Sequence, residues 1–412
     1  MKGISKQNLG FLVKRITSGS RGWAGYYAES GAIFLRMTNL PRNGIRLKMA
    51  DLKYVKLPSK SSEGKRTSVK EGDILISITA ELGKIGYVEE SRTGEAYVNQ
   101  HICLLRIDHE KADSKYLAYY LSDAKQRALF QKLNDAGAKA GLSLPTIKSY
   151  PVELPPLPEQ KKIAEILGEC DEAIEAQERL IALKQQRKKG LMQQLLTGKT
   201  RFPRFLRSTE KLISRFFYYP ADWKLVRIGE IADQVIRRNS FGELPVLSCT
   251  KHRGLVDSLS YFKKQVYAEN TSGYKVVERG EFAFATNHLE EGSIGYQNIY
   301  DKAIISPIYC VFKTRKSVED PWLYLLLKTE LFRHIFEANT NASVNRRGSI
   351  RWNEFRNIHV ALPSLKEQRH IALYAKALSE EITLQQQKLE QLKQQKKGLM
   401  QQLLTGKVRV KV

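Results

Sequence analysis

Two stretches of the chain repeat apolar residues at spacings of three and four. The first places Ile163, Leu167, Cys170, Ile174, Ile181, Leu191 and Leu195 on one stripe, and the second places Ile371, Leu378, Ile382, Leu389, Leu392, Leu399 and Leu403 on another. Between them stand Ala, Leu, Glu, Gln, Lys and Arg, all strong helix formers. This is the seam pattern of a coiled coil. Gln177 and Gln385 occupy matching seam positions, where a polar residue costs stability and fixes register. The spacing predicts a helix from Glu159 to about Thr197 and a second of the same kind. Pro158 and Pro363 lie before the starts, and Gly198 and Gly406 follow the last leucines as C-terminal caps. Some 39 residues at 1.5 Å each give roughly 58 Å. Two amphipathic helices of matched length are best covered by each other, as an antiparallel intramolecular pair. Packing of each helix on its own domain and an intermolecular coiled coil are the alternatives.

Outside these helices the pattern is mixed. Ile74–Ile78 and Ile102–Ile107 read as strands, as do Ile304–Ile305 and Ile308–Phe312. Tyr116–Leu133 and Pro321–Ala338 read as helices. The class is therefore α+β, with two globular parts alternating with two long helices.

The chain also repeats itself. Lys188-Lys-Gly-Leu-Met-Gln-Gln-Leu-Leu-Thr-Gly-Lys199 recurs letter for letter from Lys396 to Lys407, an offset of 208 residues. Leu154-Pro-Pro-Leu-Pro-Glu-Gln160 matches Leu362-Pro-Ser-Leu-Lys-Glu-Gln368 at the same offset. Val69-Lys-Glu-Gly-Asp-Ile74 parallels Val277-Glu-Arg-Gly-Glu-Phe282, Ile85-Gly-Tyr87 parallels Ile294-Gly-Tyr296, and Leu9-Gly10 parallels Ile228-Gly229. A period this long is no solenoid. It is one domain plus one long helix, made twice. The expected organisation is a first domain over 1–156, a helix over 157–199, a basic linker over 200–216, a second domain over 217–362 and a second helix over 363–407.

Charge narrows the partner. Lys and Arg number 68 against 43 Asp and Glu, a net +25, which points to a polyanion, nucleic acid first. Hydrophobic residues at 42% are enough for real cores. Cys103, Cys170, Cys249 and Cys310 lie far apart, with no C-x-x-C pair, so neither a zinc ribbon nor a disulfide framework is expected. Met1–Ser20 lacks the apolar core of a signal peptide, and no membrane span is evident. A cytoplasmic protein is expected.

The two domains share scaffold letters and differ between them. The first carries Ser20, Arg21, Tyr26, Tyr27, Arg36, Thr38, Asn39, Arg42, Asn43, Arg46, Lys65, Arg66 and Lys139. The second carries Arg237, Arg238, Asn239, Ser240, Lys251, His252, Arg253, Asn287, His288, Asn341, Asn345, Arg346, Arg347 and Arg351. Such side chains pair base edges in a major groove, Arg with guanine and Asn with adenine, while lysines and hydroxyls hold phosphates. All are candidate DNA contacts. Trp23 and Met37 read as packing residues. One scaffold with two unlike sets of polar loops suggests two reading heads for two half-sites.

Catalytic motifs are missing. Gly198-Lys199-Thr200 imitates the end of a P-loop, but Gln193 stands where its first glycine belongs. Leu154-Pro-Pro-Leu157 has the prolines of an amino-methyltransferase motif without its polar residue. No H-x-x-x-H spacing marks a metal site.

The whole layout resembles the specificity subunit of type I restriction-modification systems. The resemblance rests on Leu154–Ala164 with its partner from Leu362, on the two Gly-Leu-Met-Gln-Gln-Leu-Leu-Thr-Gly-Lys copies, on Gly72-Asp-Ile-Leu75 and on Gln100-His101 before a strand. It implies two target-recognition domains held apart by antiparallel helices, each reading half of an asymmetric bipartite DNA site. It implies docking of two modification subunits, adenine-N6 methyltransferases using S-adenosylmethionine. Restriction subunits with ATP- and Mg-dependent translocase activity would join them. This chain would hold no cofactor and perform no chemistry. The family often opens each domain with Pro-x-x-Trp; Pro220-Ala-Asp-Trp223 has it, whereas the first half starts almost at Leu9-Gly10. The rival expectations are the recognition region of a fused restriction-methylation enzyme and a coiled-coil scaffold with a nonspecific basic surface.

Overall fold

A computed structural model describes residues 4–19, 21–58, 61–133, 141–240, 242–340 and 349–411. The chain divides into two compact units. The first holds Met1–Glu178 with Gln387–Val412, and the second holds Arg179–Gln386. Each unit therefore owns one head and part of each long helix. The helices run Leu157–Leu196 and Leu365–Leu403.

The head of the first unit is built on two four-stranded sheets. One is antiparallel, in the order Val13–Ser18, Ile102–Ile107, Ile74–Ser77, Ile85–Tyr87. The other runs Tyr27–Ala28, Lys53–Val55, Ala32–Leu35, Ala96–Val98, with its last pair parallel. Ser5–Asn8 pairs with Pro151–Leu154 and closes the head where its chain enters and leaves. The second unit repeats this plan. Its antiparallel sheet orders Ala232–Val235, Tyr309–Thr314, Phe282–Ala285, Ile294–Tyr296, and Lys224–Arg227 pairs with His359–Leu362. In its other sheet Val246–Thr250 lies parallel to Lys302–Ile305, again one parallel pair among antiparallel ones.

Each core joins head to helix. In the first unit Ile74, Ile76, Leu105, Tyr116 and Leu117 pack with Ile163 and Leu167 of the first helix, with Leu403 of the second and with Leu404 just after it. In the second unit Phe282, Phe312, Trp322 and Phe355 pack with Met192, Leu195 and Leu196, and with Ile371 and Ala375. Both ways of covering the stripes are thus used together. All the predicted seam residues are buried or half-buried, including Gln177 and Gln385. Within each unit the helical segments run antiparallel. Lys393 pairs with Glu178 at 2.9 Å and Lys396 with Asp171 at 2.6 Å in the first, and Lys184 pairs with Glu381 at 2.5 Å in the second.

Several local expectations are corrected. Pro158 lies inside the first turn of its helix rather than before it, where a missing N–H costs nothing. The single helix expected over Tyr116–Leu133 is two, Ser114–Ser122 and Ala124–Lys132, because the Asp123 carboxylate caps the second by accepting from Lys125 N. Its counterpart splits into Asp320–Leu327 and Glu330–Ala338 around Thr329, whose hydroxyl accepts from Phe332 N. The basic linker contains a strand, Lys211–Ile213, which pairs with Tyr218–Pro220. Ile308 is exposed and the strand starts at Tyr309. No helix among the described residues is long and apolar enough to cross a membrane.

Candidate DNA interface

The scaffold holds the two heads' loops in equivalent places. In the second head, Lys251, His252 and Arg253 form the turn between paired strands, all exposed. Gly254 then takes φ +68, and a Cβ there would lie 2.5 Å from the Tyr324 hydroxyl. Lys328 Nζ donates to Lys251 O at 2.6 Å and to Gly292 O at 2.7 Å. This lysine ties the 251–253 turn to the hairpin that carries Asn287 and His288. Ile350 N donates to Thr286 O at 2.8 Å, which brings the exposed Arg351 near the same hairpin. Lys251, His252, Arg253, Asn287, His288 and Arg351 are thus gathered by the fold, although almost 100 residues separate the first from the last.

The first head does the same with other letters. Arg42 and Asn43, both exposed, share a cavity of about 590 Å³ with Glu81, Lys84, Arg127 and Gln131. Lys84 pairs with Glu81, and Arg127 Nε is buried without a hydrogen-bond partner. Leu142 N donates to Ile78 O at 3.0 Å, as Ile350 N does to Thr286 O in the other head. Lys84, Arg127, Lys328 and Arg333 escaped the sequence reading. The signal available was the matched helix pair, where Arg127 and Arg333 stand at corresponding places.

Other candidates make hydrogen bonds or ion pairs within the fold. Asn39 is 1% exposed; its Oδ1 accepts from Arg36 N at 2.9 Å and its Nδ2 donates to Lys48 O at 3.0 Å. Arg36 donates to Asp51 O at 2.7 Å. Arg46 donates to Asp171 O at 3.0 Å and to Glu175 at 2.5 Å, fixing the head to the helix. Arg66 donates to Ser18 O at 2.6 Å and pairs with Glu63. Arg237 pairs with the buried Glu281 at 2.5 Å, the position that Asp73 holds against Arg106 in the first head at 2.7 Å. Asn239 Nδ2 donates to Gly242 O at 3.0 Å.

Arg21, Tyr27, Thr38, Lys65, Arg238 and Ser240 are exposed and Tyr26 is half-buried. Ser20, Lys139, Asn341, Asn345, Arg346 and Arg347 lie outside the described residues. Trp23 is core, 4.7 Å from the Phe34 ring between centroids.

The chemistry of these surfaces is that of binding. Burial pushes the Cys249 and Cys310 thiols up to about 12 and Cys103 higher still, so they stay protonated and are poor nucleophiles. His288 Nδ1 lies 3.2 Å from Glu291 Oε1. Donor atoms of His288, Glu290 and Glu291 come within 4.8 Å of one another, the one such group found among the described residues. Among the described residues no nucleophile–base pair accompanies these basic loops.

Fold and site define a duplicated, basic DNA-reading chain in which each head is packed on segments of both long helices. The comparisons with known proteins give the family. The type I restriction modification DNA specificity domain matches residues 43–185 and 220–394, and the chain belongs to that family. It is 28% identical over 356 residues to the putative type I restriction enzyme MjaX specificity subunit of Methanocaldococcus jannaschii, covering 82% of this chain and 79% of that one. To the MjaVIII specificity subunit of the same organism it is 27% identical over 389 residues, covering 87% and 83%. Among solved structures, the HsdS subunit from Thermoanaerobacter tengcongensis shares the fold at a TM-score of 0.54 and 17% identity over 99% of this chain and 98% of that one. The S subunit of a type I system from M. genitalium shares it at 0.53 and 15%, over 97% and 96%. The chain is a non-catalytic DNA-specificity subunit with two target-recognition domains.

Proposed function

We propose that the first head reads one half of an asymmetric bipartite DNA site and the second head the other. The observation that carries this reading is the pair of equivalent loop clusters bearing unlike letters. Arg42 and Asn43 stand with Lys84 and Arg127 in one, and Lys251–Arg253 with His288 and Arg351 in the other. A nonspecific scaffold needs charge but no such divergence on a shared frame. The helices set the distance between half-sites and dock two modification subunits, and restriction subunits join the same assembly. S-adenosylmethionine, ATP and Mg belong to those partners. The cytoplasm is where such an assembly meets its DNA.

The experiment is a genome-wide map of N6-methyladenine with and without this gene. The expected result is loss of methylation at one bipartite motif. An unchanged map in a strain whose modification genes are expressed overturns the reading. Exchange of residues 1–150 for another head is expected to alter one half of the motif only.

A further inference from the structure

The two identical words differ in what meets their first lysine. In the first unit Lys396 donates to Asp171 Oδ1 at 2.6 Å and stands 5.1 Å from the centre of the Tyr119 ring. The Tyr119 hydroxyl donates to the same carboxylate at 2.7 Å. Arg46 donates to the Asp171 carbonyl, and the loop at Gly44 lies beside the Lys396 ammonium. Lys396 is 8% exposed and fully answered from within the unit.

In the second unit no acid among the described residues pairs with the equivalent lysine. An offset of 208 puts Ser379 where Asp171 stands, and in the helix Asp320–Leu327, which matches Ser114–Ser122 at an offset of 206, Leu325 takes the place of Tyr119. Lys188 Nζ donates to Ser379 Oγ at 2.6 Å. Beside it opens a cavity of about 430 Å³, lined by Met192, Leu196, Leu325 and Ile382, with Lys189 and Lys328 adding charge. The one acid among its lining residues, Glu330, is paired with Arg333 at 2.7 Å. Burial lowers the Lys188 ammonium from its ordinary value with no carboxylate holding it up. On the same helical segments Leu183, Leu373 and Leu384 are 57%, 64% and 62% exposed. No large apolar side chain is so exposed on the first unit's helical segments among the described residues.

We infer that this cavity seats an acidic, apolar segment of a modification subunit, whose carboxylate meets Lys188 as Asp171 meets Lys396. The inference rests on the proposed assembly with modification subunits. Charge complementarity selects the carboxylate, and the apolar walls select a protein segment over a phosphate backbone. The two units thereby offer different contacts to otherwise equivalent partners.

The test assembles the full chain with the modification subunits of its own system and measures affinity by sedimentation. S379D supplies the missing acid from within. It is expected to weaken binding of one modification subunit at least tenfold while raising the melting temperature of the free chain. K188E is expected to weaken the same subunit at least as much. If both variants assemble as the wild type does, the cavity is not the seat, and the proposed assembly stands. If the variants lose DNA affinity with assembly unchanged, the lysines serve DNA and the inference is overturned. If the wild-type chain binds no modification subunit, the assembly reading fails and the inference with it.

Discussion

The duplication supplies an internal experiment on buried charge. Arg201 donates to Glu367 at 2.8 Å and to Asp222 at 2.6 Å, and Trp223 Nε1 donates to Glu367 at 3.3 Å. The Arg201 and Glu367 side chains are 4% and 2% exposed. Its copy, Arg409 with Glu159 at 2.5 Å, has the arginine 42% exposed and the glutamate 6%. Removing one partner of a buried ion pair leaves an unanswered charge and costs roughly 3–5 kcal/mol. Asp222 at 20% exposure lets water reach part of the network, so the lower end, about 3 kcal/mol, is expected for R201A. For a unit of this size about 1 kcal/mol moves the melting temperature by roughly 2–4 °C, so R201A is expected to lower it by about 6–12 °C. R409A is expected to shift it less, because the arginine removed is partly solvated and Glu159 keeps the hydrogen bond it accepts from Val410 N at 3.2 Å. Differential scanning calorimetry of the full chain at pH 7 measures both. Equal shifts for the two variants, or less than about 2 °C for R201A, would refute the assignment of the difference to burial.

The Arg409 guanidinium holds the Glu159 carboxyl below the usual carboxylate range, against the opposing pull of burial. A depressed folded value means that the contact stabilises above the unfolded value of about 4.3, and this contribution disappears as pH falls through the folded value. The gap in melting temperature between wild type and R409A is therefore expected to be full at pH 7 and to close below about pH 4, and a gap independent of pH would count against it. Asp113 caps its helix by accepting from Tyr116 N at 2.8 Å, so D113A is expected to cost about 1 kcal/mol in urea unfolding. G254A, forced to φ +68 against Tyr324, is expected to cost roughly 1–2 kcal/mol and to disturb only the half-site read by the second head. R42A and R253A are each expected to relax base preference in one half-site, different for the two, at about 1–3 kcal/mol per lost bidentate contact, read as changes in the methylated motif.

The long helices and the duplication were legible because periodicity and exact repetition are properties of letters alone. Asp123 and Thr329 show what propensity misses, since a local cap breaks a helix that the apolar pattern carries through. The interface was less legible. Arg46 and Asn39 have the side chains of base readers, but the fold turns one toward the helix and buries the other. Arg127 and Lys328 look like an ordinary helical arginine and an ordinary lysine at a helix end, and become part of the surface only because hairpin loops meet them in space. Long-range placement is not written in spacing.

Glu159 and Glu367, Gln160 and Gln368, and Arg201 and Arg409 keep identity and partner across the repeat. Gln160 accepts from Asp113 N as Gln368 accepts from Glu319 N, both near 2.9 Å. These contacts bind a head to its helix ends, and any drift would leave a buried polar group unpaired. The loops at 42–43 and 251–253 meet water instead, so their letters can change at small cost to the fold. A frame held this tightly is what allows two unlike reading surfaces to be carried in one chain, because a new loop sequence does not have to preserve the packing beneath it. Arg237 marks the limit of that freedom. It lies among polar loop letters, yet it answers buried Glu281 where Arg106 answers Asp73, so the counter-ion of a retained acid can move from a strand to a loop while the need for it remains.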